Sequence, residues 1–453
     1  MTVLIKLPDK FLERMKILLK DEFEDFIFAL ENEPVKAFRV NTEKISDKEF
    51  SKINIFGSEN IPYVENGYYL DYEKIGNHPY HHAGMIYVQE PSAMAPVESI
   101  EINKDWNVLD MCAAPGGKSS QIKNKLSQNS VLVSNEIVMN RCKILTGNIE
   151  RLGLKNCVTT CMDTKRLAEV FPRTFDMIMV DAPCSGEGMF RKEQAAIDCW
   201  SEENVIMCAK RQSEILDNAV CCLKSGGYIV YSTCTYSLEE NEMVIDAFLN
   251  KYNNFEIVPV RKKLEPFGSD GIIFDGCRNE DVRLCKRFYP HKNKGEGQFV
   301  AVLHNTDLPE AKHLQVTAPV IANKLVYDFL DEVLTDYNKE SIMMYANNPV
   351  YFTPDFSVKK GTAFSCGVTI GEIKKNYILP HHQFFMAMGN NFKRKIELDA
   401  DSREIAMFLH GEAFETDCED GWAVVTVNGC SVGGVKVSKG MAKNHYPKGL
   451  RTL

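Results

Sequence analysis

The 453-residue chain predicts an α/β fold, with a mostly parallel sheet covered by helices on both faces and smaller domains at either end. Two observations predict the sheet and a third predicts the flanks. From Trp106 onward, short apolar runs alternate with longer helical stretches, the pattern of βαβ units that build a parallel sheet. The run DMIMV is apolar without alternation, as expected of a strand buried on both faces. Beyond about Asn305 the alternation stops, and WAVVTVNGCSVGGVKVSKG near the C-terminus is rich in strand and turn formers.

Taken in order, the first 75 or so residues read as helices followed by a small α/β piece, FRVNTEKIS and then IPYVENGYYL. WNVLDM is a strand and SSQIKNKL a helix. VLVSNE is the next strand, followed by a helix through RCKILTGNIERLG. VTTCMD, FDMIMVDAP and YIVYSTC complete the strands, with the long amphipathic segment SEENVIMCAKRQSEILDNAVCCL before the last. The expected division is an N-terminal domain over 1–90, the sheet domain over 91–305, an extension over 306–380 and a β-rich domain over 381–453.

Composition excludes several classes. With 44% hydrophobic and 25% charged residues the chain is globular. No apolar run reaches the roughly 18–20 residues that span a bilayer, and charges interrupt the N-terminal segment where a signal peptide would be apolar. A cytoplasmic protein without a membrane partner is expected. The 15 cysteines are odd in number and contain no CxxC pair, which argues for reduced thiols and against a structural metal site. The net charge of −9 counts against a nucleic-acid partner. Phosphate contact needs only a local basic face, however. Two stretches offer one: RFYPHKNKG from Arg287, and the tail from Lys436, which carries five Lys or Arg and no acid.

Four features lie at the C-terminal ends of successive predicted strands: the loop CAAPGGK (Cys112, Ala113, Ala114, Pro115, Gly116, Gly117, Lys118), then Glu136, Asp163 and Asp181. Open α/β sheets bind ligands there, so these positions converge on one crevice. Paired glycines let backbone approach a ligand. A carboxylate ending the second strand can take both hydroxyls of a ribose, and one after the third can accept from an adenine amine. A lone acid at a strand end is more often a helix cap, but three in succession favour a nucleoside. The loop matches neither GxxxxGK[ST] nor GxGxxG, so an adenosyl group without phosphates fits best. Cys184, in DAPCSGEGMFRK, and Cys234, in STCTYSLEENE, follow the next two strands. Adjacent parallel strands lie about 5 Å apart, so both thiols should flank the same crevice. Most cysteines are buried and inert, but small and polar neighbours here favour access and reactivity.

DMCAAPGGKSSQI, SNEI, MDTK, DAPCSGEGMFRK and STCTYSLEENE together resemble the motif series of the RsmB/RsmF (Sun-domain) RNA cytosine-C5 methyltransferases. So do FRVN at Arg39, HHAGMIYVQEPSA from His81 and RFYPHKNKGEGQFVAVL from Arg287. Ser119, where the family often has Thr, keeps the hydroxyl. The resemblance implies a Rossmann-like class I SAM-dependent methyltransferase core, with S-adenosylmethionine held by Cys112 to Lys118, Glu136, Asp163 and Asp181. It implies that Cys234 is the nucleophile and Cys184 assists release, since PC followed by TC marks the RNA group. Such chemistry needs a thiol: C5 of cytosine becomes nucleophilic only after thiolate addition at C6. Asp181 would also hold the N3/N4 edge of a base taken out of its stack.

The segment after residue 305 resembles the RsmF branch, whose extension ends in a PUA-like RNA-binding domain and which acts on 16S, small-subunit rRNA. The implied partner is therefore rRNA or the 30S subunit, with the protein a monomer and no metal. The alternatives are the same chemistry on tRNA, or a catalytically silent ribosome-assembly protein.

Overall fold

A computed structural model describes residues 6–308, 323–353 and 355–452; part of the predicted 306–380 extension, residues 309–322, lies outside the described residues. Helices α1 (Asp9–Leu19) and α2 (Phe23–Glu31) precede a small antiparallel sheet. Its strands β1 (Ala37–Val40), β2 (Gly67–Tyr69) and β3 (Ile86–Val88) run in the order β2-β1-β3.

The central sheet contains ten strands among the described residues. Strands β4 (Val108–Asp110), β5 (Leu132–Asn135), β6 (Cys157–Thr160), β7 (Phe175–Asp181) and β8 (Leu223–Thr233) are parallel, in the order β6-β5-β4-β7-β8. Beyond β8 the sheet turns antiparallel through β12 (Gln298–Asn305), which pairs with β8, with β9 (Phe255–Val258) and with β11 (Lys286–Phe288). Strand β10 (Ser269–Asp270) closes that edge. The order reverses at β4 and β7, and that reversal opens the crevice at their carboxyl ends.

Local chemistry explains the crossovers. Helix α3 (Gly117–Lys123) starts at Gly116, whose φ of 111° is a left-handed conformation that favours glycine. In α4 (Met139–Leu152) Cys142, Leu145, Ile149 and Leu152 recur at helical spacing on the buried face, and Gly153 in the left-handed region ends it. Asp163 caps α5 (Thr164–Val170) and Ser201 caps α6 (Glu202–Cys222). Helix α7 (Glu242–Lys251) leads from the Cys234 loop towards β9. Leu216, Ala219 and Cys222 of α6 pack with β7 and β8 residues in one apolar core.

The flanks are packed onto this core. Phe11, Met15, Phe26 and Leu30 of α1 and α2 pack against Phe190 and Tyr236, which follow Cys184 and Cys234 in their loops. Ser365–Cys366 pairs antiparallel with β6, so the extension supplies an edge strand to the central sheet. Phe352 and Phe356 join the core beside Phe171 and Phe175. A five-stranded sheet between Lys395 and Asn444 shares an apolar cluster with β1, through Phe38, Val40, Val425 and Val435. Among the described residues no helix is long and apolar enough to cross a membrane.

Candidate active site

The crevice at the switch point holds a cavity of about 540 Å³, within the range of small-molecule sites. Cys112, Ala114, Glu136, Asp163, Asp181, Cys184 and Cys234 all line it. Ala113, Pro115, Gly116 and Gly117 are not in its wall; they form the turn that carries the chain from β4 into α3, across a cis Ala114–Pro115 bond.

Each acid has a definite setting. Glu136 is buried, with Oε1 accepting from the Val138 N–H at 2.9 Å and Arg141 Nη1 lying 3.4 Å from Oε2. Asp163 is exposed and accepts from the Arg166 N–H at 2.8 Å as a helix cap. Asp163 thus both caps a helix and lines the cavity. Asp181 accepts from the Ser232 hydroxyl at 2.7 Å and pairs with Lys118 Nζ at 2.8 Å. Burial alone would drive the proton off Lys118; the Asp181 carboxylate outweighs that, and the Lys118 pKa is raised. Lys118 therefore crosses from the glycine-rich loop to the end of β7 instead of joining the wall with Glu136.

The two sulfurs lie 3.3 Å apart. The hydrogen bond to Cys234 holds the Cys184 thiol well above its ordinary pKa, and burial adds to this, so Cys184 keeps its proton. Asp110, fully buried beneath the crevice, is pushed up to about 7 by burial while accepting from Ser119 Oγ at 2.6 Å. The hydroxyl at position 119 thus has a structural task.

Several residues escaped the sequence reading. Asn135 donates to the Met111 carbonyl at 3.2 Å and the Met162 carbonyl at 2.9 Å, stapling the ends of β4, β5 and β6. Arg211, Glu214 and Asn218 of α6 complete the wall; their i, i+3, i+7 spacing is a polar stripe that would have flagged them. Arg39 of the FRVN motif is buried and donates to the Gly117 carbonyl and Ser120 Oγ, both at 2.8 Å, tying β1 to the start of α3. The RFYPHKNKG stretch is not a free basic face. Arg287 is buried and bidentate to Glu242, while Lys292 and Lys294 pair with Glu22 and Glu59.

Comparisons with known proteins identify the family. The model for the 16S rRNA methyltransferase RsmB/F matches residues 98–304, that for the N-terminal domain of RsmF matches 7–91, and that for the RsmF PUA domain matches 395–452. The chain is 30% identical to the ribosomal RNA small subunit methyltransferase F of Vibrio vulnificus, across 98% of each chain. The chain belongs to the RsmB/F family of 16S rRNA methyltransferases. Another RsmB/F relative, the ribosomal RNA small subunit methyltransferase F of Klebsiella pneumoniae, is also 30% identical, over 98% of this chain and 96% of that one. A methyltransferase homologue from Pyrococcus horikoshii superposes with a TM-score of 0.59 at 27% identity, over 66% of this chain and 96% of that one. NSun6 from the same organism has the same fold, with a TM-score of 0.58 at 22% identity, over 68% of this chain and all of that one.

The cofactor is S-adenosylmethionine. The residues fit it. Glu136 presents acceptors suited to vicinal hydroxyls, Asp163 offers one suited to an amine, and the cavity volume suits an adenosyl group.

Proposed function

We propose that this protein methylates C5 of a cytosine in small-subunit rRNA, through a covalent bond between Cys234 and C6. The observation that carries this reading is the 3.3 Å approach of the Cys184 and Cys234 sulfurs at the wall of a cavity that also contains Glu136, Asp163 and Asp181. A thiol pair beside an adenosyl site suits a reaction that must both add to and leave a pyrimidine ring.

S-adenosylmethionine, when bound, supplies an electrophilic methyl group. Glu136 and Asp163 hold its ribose and adenine. Asp181, neutralised in part by Lys118, takes the N3/N4 edge of a base brought out of its stack. The Cys234 thiolate forms a bond to C6 while N3 gains a hydrogen bond or proton, and C5 becomes enamine-like and takes the methyl. Loss of the C5 proton to a base, with return of any proton taken up at N3, then re-forms the C5–C6 double bond and expels Cys234 as thiolate. Cys184 is next to that departing sulfur and assists its release. Residues 1–90 and 381–453 serve as RNA-contacting domains around the catalytic core at 91–305, in a cytoplasmic enzyme that works on ribosomal RNA.

Release of tritium from RNA labelled at cytosine C5 tests the proposal, with unmodified small subunits, free rRNA and tRNA offered in parallel. Release from small subunits or their rRNA is expected. Release from tRNA alone would replace the substrate, and none from any of them would overturn the chemistry.

A further inference from the structure

Two buried glutamates cross between the thiol loops. Glu187 belongs to the loop of Cys184, yet its Oε2 accepts from the Thr235 hydroxyl at 2.8 Å and the Tyr236 N–H at 2.9 Å, both beside Cys234. Glu240 follows Cys234, yet accepts from the Ser185 N–H at 3.0 Å, and its Oε1 meets the Ser185 hydroxyl. Gln212 of α6 donates to Glu240 Oε2 at 2.8 Å. The Ser185 and Thr235 hydroxyl oxygens are themselves 2.9 Å apart. Glu187, Glu240, Gln212, Ser185 and Thr235 are all buried.

Counting protons along this line defines its state. From Glu240 through Ser185 and Thr235 to Glu187 there are three oxygen–oxygen contacts at hydrogen-bonding distance, and the two hydroxyls supply two protons. With both carboxyls ionised, one contact would oppose lone pairs in a site closed to water. A proton on Glu240 completes the line in one direction: Glu240 donates to Ser185, Ser185 to Thr235, and Thr235 to Glu187. Both carboxyls also accept from N–H donors, Glu187 from Trp200 Nε1 at 3.0 Å and the Tyr236 N–H, and Glu240 from the Ser185 N–H and Gln212. Arg14, which faces Glu187, makes that the ionised end. We propose that Glu187 and Glu240 are positioning residues, which lock the two thiol loops in register by sharing one buried proton through Ser185 and Thr235. The lock rests on the assignment of Cys184 and Cys234 above, because it fixes how those two thiols stand to each other.

The surroundings agree. Burial pushes Glu240 up to about 7 and raises Glu187 as well. The groups facing Glu240 are Ser185, Gln212 and Cys208 of α6, Cys184, Glu187, and Tyr231 of β8, whose hydroxyl donates to the Glu240 carbonyl. Arg14 of α1 faces Glu187 and favours its charge. Because the Glu240 value in the fold exceeds its ordinary 4.5, the lock is complete below that ordinary value. It is lost as pH rises through about 7.

Infrared difference spectra of RNA-free protein, wild type against Glu240→Gln, test this directly, together with pH profiles of tritium release for Glu240→Gln and Glu240→Ala. Asp110, also pushed up to about 7, contributes equally to both proteins. The wild-type-minus-Glu240→Gln difference is therefore expected to show one carbonyl stretch of a protonated carboxyl, lost on raising the pH through about 7. Glu240→Ala should lower kcat by about tenfold or more with KM for RNA unchanged. Glu240→Gln, whose amide donates permanently to Ser185, should recover most of that loss and lack the alkaline fall. Where Glu240→Ala does not fold, Ser185→Ala removes only one of the two linking hydroxyls, and the same loss in kcat is expected. Absence of the carboxyl band, or a Glu240→Gln variant as impaired as Glu240→Ala, overturns the proposal. The band with no turnover from wild type supports the lock and removes the cytosine assignment instead.

Discussion

The Lys118 ammonium lies 2.8 Å from the Asp181 carboxylate, joining the loop after β4 to the end of β7 beside Cys234. The pair places one fixed charge of each sign where a base would enter, with Lys118 buried and Asp181 partly open to the cavity. Lys118→Met should lower kcat by about 100-fold, the loss typical of removing one preorganised electrostatic partner. Single-turnover methylation checks this; an unchanged rate would leave Lys118 with a purely structural task.

The two thiols should separate by phenotype. Cys234→Ala is expected to abolish methyl transfer while RNA still binds. Cys184→Ala should instead accumulate a protein–RNA adduct that survives denaturing electrophoresis. An adduct formed by the Cys234 variant would reverse the two roles.

Glu136 sits at the end of β5 with both oxygens placed by Val138 and Arg141. Glu136→Ala should weaken S-adenosylmethionine binding by about 10- to 100-fold, corresponding to loss of charge-assisted hydrogen bonds. Calorimetric titration of the RNA-free protein measures it, and an unaltered Kd removes Glu136 from the cofactor site.

Arg287 and Glu242 form a buried bidentate pair, and Arg287 Nη1 also donates to the Tyr236 carbonyl at 2.8 Å in the Cys234 loop. Breaking such a pair strands a buried charge, so Arg287→Met should cost about 3–5 kcal/mol in urea unfolding. Removing both charges, Arg287→Met with Glu242→Leu, should recover much of it. A single variant losing under about 1 kcal/mol would contradict this.

Histidines line the junction between the N-terminal sheet, α4 and the C-terminal sheet. His82 Nδ1 meets the Tyr446 hydroxyl at 2.8 Å, and the His382 ring packs edge-on to Tyr446. Burial, with Arg151 nearby, lowers His81 to about 3 and His82 to about 4; burial, with His381 nearby, lowers His382 to about 3. The fold therefore favours the neutral rings. Stability is complete above the ordinary value of 6.5 and declines as pH falls below it towards these lowered values. A fall in Tm of at least about 5 °C between pH of about 7 and about 5 is expected. His382→Phe should flatten it; a flat wild-type profile would contradict the argument.

The α/β core and the two cysteines were legible because their signals are local. Alternation of apolar runs, Gly153 after α4 and the acids at strand ends are written within a few residues of the structure they cause. Partners far apart in the chain were not. The basic look of Arg287 suggested surface, whereas Glu242 and the Tyr236 carbonyl hold it inside. Lys118 read as part of the cofactor loop, whereas the parallel pairing of β4 with β7 brings Asp181 within its reach. Nothing in the sequence around Ser365 announced an edge strand on β6, because pairing across some 200 residues leaves no periodic trace.

By itself, then, the sequence determined the order of elements, the residue types at each strand end and the presence of two thiols that could share a crevice. Only the tertiary structure decided that the sulfurs stand 3.3 Å apart and that Glu187 and Glu240 each brace the other's loop. The physical reason is that hydrogen bonds and desolvation act over a few ångströms in space. Between positions 185 and 235 that closeness exists only once β7 and β8 have paired.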